Sequence, residues 1–227
     1  MSEKRLTQEK ILSLLNWAYD KVISGYLKFD SAEQLAQSFK DHRSTNEQVN
    51  SLIRWQNTKS ATVGFITGSG GVFTLPVAVP ANFATILLIQ IRMIAAIAHL
   101  NGHDIKDEKV RTLVYIALCG NSVKSILKKT GINLGTKVTA TLIQKYLTLE
   151  MIAQINKSVG FKLLTKTSTS GVINLGKAVP VVGGLIGGGF DAITTNLIGN
   201  AARDIFVKEQ LNTSVDREII PYEKENH

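Results

Sequence analysis

The sequence predicts an all-α chain: a single-domain helical bundle with two apolar helical hairpin elements interrupted by glycine and proline. Three observations carry this. Apolar residues recur at three- and four-residue steps, helix-opening and helix-closing residues flank those stretches, and no β-alternation of useful length appears beyond short Val-rich pieces beside the prolines.

Residues 7–24 place Ile11, Leu15, Ala18 and Val22 at helical spacing, with Leu12, Leu14 and Tyr19 widening the stripe, and the pattern stops near Gly25. Asp30 followed by Glu33 reads as a capping box for a short helix over 31–42. Ser44 and Glu47 repeat the device ahead of a helix carrying Val49, Leu52, Ile53 and Trp55. That helix enters Ser60–Ile91, 32 residues without Asp, Glu, Lys, Arg or His, between Lys59 and Arg92.

The uncharged run exceeds the roughly 20 residues a bilayer core demands. Gly68, Gly70 and Gly71 loosen it, and Pro76 and Pro80 each remove a backbone donor and clash with helix continuation. The expected shape is helix to about Thr67, a Gly-rich bend, and a second helix from Ala81 to His99, stopped at Asn101-Gly102. This element fits either the centre of a helical globule or a re-entrant piece embedded in a membrane.

Asp107 caps an expected helix of about 108–130, closed by Gly131. Thr136 to about Thr148, and 149–165, read as two further helical segments, with 165–171 as a polar linker. The chain then turns glycine-rich to Ala202, and a last helix is expected from Phe190 to Gln210. The organisation is thus amphipathic N-terminal helices over 1–54, a helical core over 55–210, and a polar, acidic tail over 211–227 expected to be mobile. Val79-Pro80 and Val179-Pro180 each precede a small-residue helix, a faint internal echo that chance explains equally well.

Charge is unevenly spread. Residues 92–166 hold twelve Lys/Arg against four Asp/Glu, and between Lys124 and Lys166 there are eight lysines with Glu150 as the one acid. That block reads as a surface for anionic partners or as a merely solvated basic face. Aromatic interleaving is sparse and arginine nearly absent there, which disfavours specific nucleic-acid recognition. Lysines on amphipathic helices beside long apolar segments suit an anionic lipid surface better; those singled out are Lys124, Lys128, Lys129, Lys137 and Lys145. The single cysteine, Cys119, excludes an internal disulfide and reads as a small core residue suited to a reducing compartment. Met1–Lys10 mixes charges of both signs with no unbroken apolar run after it, so no secretory signal peptide is expected.

Polar residues within apolar helices are the other signal. Gln90, Arg92 and Asp104 in the first element, and Asp191, Thr195 and Asn196 in the second, form a candidate binding or structural cluster. A buried unpaired charge is costly, so Arg92 and Asp191 are expected to pair, unless Arg92 snorkels to a surface and Asp191 caps a helix. The glycines of 183–189 have the small-xxx-small spacing of closely approaching helices, or form a loop. Enzyme motifs fail. Gly171–Ala178 approaches a P-loop but has Ala178 where the Mg²⁺-holding hydroxyl belongs, and Pro180 follows. His99 and His103 have zinc-ligand spacing, but Asn101-Gly102 ends the helix between them and no further ligands complete a site. No catalytic residue, cofactor or metal is expected.

Residues 68–104 joined to 176–206 resemble the EcsC protein family. The shared features are a Gly-rich turn into Leu75-Pro76 and Pro80, the Gln-x-Arg-Met-Ile element at Gln90 and Arg92, the Gly102-His103-Asp104 step, and Pro180, Gly183, Gly187 and Gly188 ahead of Asp191. The resemblance covers roughly 55–207. The family takes its name from a gene beside a bacterial ABC transporter and has no agreed catalytic residues, so none is carried over. Taken with the basic block, the apolar elements and the single cysteine, the expected function is that of a non-enzymatic bacterial accessory protein on the cytoplasmic side, peripheral to or embedded in the inner leaflet, docking basic helices on an anionic membrane and inserting or packing its apolar Gly-rich elements. Its expected partner is anionic lipid or a membrane protein such as a transporter. A soluble lipid- or apolar-ligand-binding bundle and a pore-forming effector are the alternatives.

Overall fold

A computed structural model of the chain describes residues 7–26, 29–63, 81–132, 139–169 and 194–207. Helix α1 (Gln8–Ser24) opens on Thr7, whose hydroxyl accepts from the Lys10 amide, and ends at Gly25, where φ is 81°. Its buried residues include all four positions of the expected stripe. Helix α2 (Ala32–Phe39) starts one residue later than the Asp30–Glu33 expectation. Ser31 and Gln34 form the capping box, with Ser31 N–H donating to Gln34 Oε1 (2.8 Å) and Gln34 N–H to Ser31 Oγ (3.2 Å). The competing sites differ by one position, and the one that Ser31 occupies leaves Asp30's carbonyl directed at Arg92.

Helix α3 (Thr45–Val63) is opened by the anticipated Ser44–Glu47 pair. Helix α4 (Ala81–Leu100) closes at Asn101-Gly102, with Gly102 at φ 78°. Gly102 N–H donates to His99 O and His103 N–H to Ala98 O, the paired bonds of a Schellman stop. The glycine bend, its prolines and residues 171–193 lie outside the described residues.

Helix α5 (Glu108–Ala117) is capped by Asp107, which accepts from the Lys109 and Val110 amides. The single helix expected over 108–130 is in fact interrupted: a 3-10 turn at Gly120–Ser122 precedes α6 (Val123–Lys129). Gly120 has φ 54°, a left-handed conformation that a helix interior does not use, and the Leu197 side chain lies against it. Gly131 (φ 82°) then closes α6, with Ile132 N–H on Leu127 O. After α7 (Ala140–Tyr146), α8 (Leu149–Thr169) runs through most of the expected linker. There Thr165 satisfies its hydroxyl on the Lys162 carbonyl within the helix rather than breaking it (2.9 Å). The last described helix, α9, covers 194–206.

No strand is present among the described residues; Tyr26 and Phe29 form an isolated bridge in the α1–α2 turn. Helix α4 is the axis. It packs against α1, α2, α3 and α5, while α8 lies across α1, α5 and α6. Every residue from Leu87 to Ala98 is buried, in one contiguous core reaching from Ile11 to Phe206. Helix α9 joins α3 closely: a Cβ on Gly199 would stand 2.9 Å from Ile53 Cγ2, and Arg203 donates to Asn50 Oδ1 (3.0 Å).

Candidate anionic-surface site

Of the polar residues singled out in sequence, Arg92, Asn196 and Asp104 make separate contacts. Arg92, 5% exposed on α4, turns towards the α1–α2 turn: Nη1 reaches Asp30 O at 3.4 Å and the guanidinium lies 5.1 Å from the Phe29 ring centroid. Its Nε has no hydrogen-bond partner among the described residues. Burial pushes its pKa below the ordinary arginine value, and the Asp30 charge opposes that shift. Asp191, its expected partner, lies outside the described residues.

Gln90 is buried on α4 and Thr195 on α9. Asn196 is exposed and accepts from Asn57 Nδ2 (3.1 Å), tying α9 to α3. Asp104 is exposed and accepts from the Lys106 amide in the turn before α5. These contacts hold helix ends and helix pairs together. His99 is exposed at the end of α4, whereas the His103 ring meets Phe206 edge-on at 5.3 Å. Cys119 is buried, as its apolar surroundings imply.

One network, built on the buried Tyr19 and Tyr115 and reaching the exposed Asn16 and Asp20, has no counterpart in the sequence reading. Arg111 on α5 donates to Tyr115 Oη (2.9 Å) and Asp20 Oδ1 (2.9 Å) and lies over the Tyr19 ring. Tyr19 donates to Ile105 O (2.8 Å), and Tyr115 donates to Asn16 Oδ1 (3.0 Å). Burial pushes both tyrosines above the ordinary phenol value, Tyr115 to about 12, while Arg111 pulls the other way. The network clamps α1 to α5. The i, i+4 pair Arg111–Tyr115 is visible in the sequence, but its partners are 91 and 99 residues away.

Most described lysines of the basic block reach solvent. Lys124, Lys128 and Lys129 on α6 and Lys145 on α7 are exposed, and Lys137 lies outside the described residues. Helix α8 adds Lys157, exposed, and Lys162, half-buried, neither of them among the lysines singled out in sequence. Ile152, Ile155, Val159 and Leu163 bury one side of α8. Outside that side, Leu149, Ala153, Lys157 and Phe161 follow at four-residue steps, a line that drifts about 120° round the helix, and all four are exposed. Leu149 is 73% and Phe161 60% exposed, the two largest values among the large apolar side chains of the described residues. The same three-and-four spacing that marks the buried side could have located this line.

Among the described residues one helix, α4, is long and apolar enough to cross a membrane, but 78% of its Phe83–Leu100 window is buried within the fold. Among the described residues no group of His, Cys, Asp and Glu is arranged to hold a metal ion. No curated protein matches the chain, and no solved structure does. The model of the EcsC protein family matches residues 5–208, and the chain therefore belongs to that family.

Proposed function

We propose that this protein is a non-enzymatic accessory factor that docks on the anionic cytoplasmic surface of a bacterial membrane through α6, α7 and α8. Helix α4 stays inside the fold in this reading, since α1, α2, α3 and α5 already cover it. The observation that carries the reading is the line Leu149, Ala153, Lys157, Phe161 on α8: apolar groups left in water within the most basic third of the chain.

Magnitudes indicate that neither part suffices. Each lysine near an anionic surface contributes about 1 kcal/mol, and a Leu or Phe side chain contributes about 1.5–3 kcal/mol when fully covered. The two sums are comparable, so added salt, which screens the lysine part, should release the protein from anionic vesicles. Flotation with vesicles tests this. Recovery with anionic but not with purely zwitterionic vesicles is expected. A protein that stays at the bottom of the gradient with both would remove the reading, and co-purified lipid released only on unfolding would favour an enclosed-ligand bundle.

A further inference from the structure

The α6–α8 face contains a groove of about 390 Å³ between the start of α1, the 3-10 turn with α6, and the second half of α8. Lys129, Lys157 and Lys162 line it together with the hydroxyls of Ser122, Ser125 and Ser158, and among the described residues no carboxylate lines it. Among the described residues none of the three ammonium groups has an ion-pair partner. The walls are fixed by the fold. Gln8 Nε2 donates to the Lys157 carbonyl (2.7 Å), and Gly160 lets α8 meet α1, since a Cβ there would stand 3.1 Å from Gln8 Cγ.

Three unneutralised lysines around one concavity repel one another, and an anion between them relieves that repulsion. The donor set selects the anion. A phosphomonoester brings a charge of roughly −1.5 to −2 and three acceptor oxygens, which matches several ammonium and hydroxyl donors better than a carboxylate with one charge and two oxygens. Phe161 lines the same groove and stays 60% exposed. A free phosphate would leave that ring in water, whereas the glycerol and acyl root of a lipid would cover it.

We infer that the groove binds the phosphomonoester headgroup of an anionic lipid of the phosphatidic-acid type, with Lys129, Lys157 and Lys162 holding the phosphate and Phe161 covered by the lipid's apolar root. The inference rests on the membrane reading above and adds which lipid is preferred and which residues choose it.

Flotation on three vesicle sets tests it: phosphatidylcholine alone, and phosphatidylcholine with phosphatidic acid or with phosphatidylglycerol at matched surface potential. The native chain should prefer the phosphatidic-acid vesicles by about tenfold, the size of one to two lysine contacts. The triple variant Lys129→Gln, Lys157→Gln, Lys162→Gln should lose that preference. A control triple, Lys124→Gln, Lys128→Gln, Lys145→Gln, should bind both anionic sets more weakly yet keep the ratio. Ser125→Asp, an exposed substitution that places a carboxylate in the groove, should also erase the ratio while its circular dichroism and melting temperature match the native chain.

Equal binding to both anionic sets overturns the groove inference and leaves the membrane reading standing, as does a ratio that survives in the groove variants. No flotation on any set overturns both. Soluble glycerol phosphate or inorganic phosphate should compete weakly. If either one binds as tightly as the vesicles do, the ligand is a free phosphate compound and the lipid assignment falls.

Discussion

Helices α4 and α8 are 20 and 21 residues long, yet their apolar residues do opposite things. In α4 the apolar side chains cover the whole circumference, and four other helices surround it. In α8 one side is buried, while Leu149 and Phe161 stand in water among lysines. By sequence α4 is the natural candidate for lipid contact; by packing, α8 is. A helix apolar all round fits a protein interior as well as a bilayer, so uniform hydrophobicity does not separate the two. Apolar residues left exposed after the core has formed point to a partner more directly.

The sharpest way to break this contrast is to truncate α4. Ile94→Ala removes a fully buried side chain and should lower unfolding free energy by about 2–5 kcal/mol in denaturant titrations. Insensitivity there would mean that α4 is not the interior axis. Gly199→Ala comes next. Its Cβ would meet the β-branched Ile53 at 2.9 Å, so a loss of about 1–3 kcal/mol is expected. In a double-mutant cycle with Ile53→Ala the combined loss should be smaller than the sum of the two single losses, and full additivity would put the α3–α9 approach in question.

Arg92→Met probes the one charge buried in α4. With a 3.4 Å bond and a ring face as its described contacts, replacement should change stability by under about 1 kcal/mol in either direction. A loss of about 3–5 kcal/mol would instead reveal a carboxylate partner left buried by the change, as the Asp191 pairing requires.

The α1–α5 clamp predicts a pH dependence. Tyr115 titrates at about 12 when folded and near 10 in an unfolded chain. Between those values the unfolded state has given up more protons, so its population grows with pH. The stabilisation is fully present below about pH 10 and is lost as pH rises through the folded value. Tyr19 shifts in the same direction and adds to the effect. Melting temperatures should therefore fall on the alkaline side, with a shallower slope in Tyr115→Phe; identical slopes would contradict the assignment. The smallest effect on stability belongs to Phe161→Ala on α8, within about 0.5 kcal/mol, although the same change should weaken vesicle binding measurably.

The helices and their stops were legible because local chemistry writes them. The Asp107 cap, the Ser44–Glu47 box, and the Gly102 and Gly131 stops each act within a few residues. Two errors came from competition between neighbours. Ser31–Gln34 prevailed over Asp30–Glu33 one position away, and Gly120 broke a segment whose apolar spacing continues on both sides. Long-range contacts were not legible. Nothing local announces that Arg92 faces Asp30 and Phe29, or that Arg111 joins Asp20, because those contacts depend on how helices cross. The basic surface was readable as a charge block, but its apolar line on α8 became evident only once the buried side was known.

The central claim is that α8, with α4 kept inside, meets the lipid. An environment-sensitive fluorophore can be attached at Phe161→Cys, and separately at Arg54→Cys, an exposed position on α3, both in a Cys119→Ala background. On addition of anionic vesicles the dye at 161 should brighten and shift to the blue, while the dye at 54 stays as it was in buffer. A protein that binds the vesicles with the dye at 161 unchanged would contradict the account.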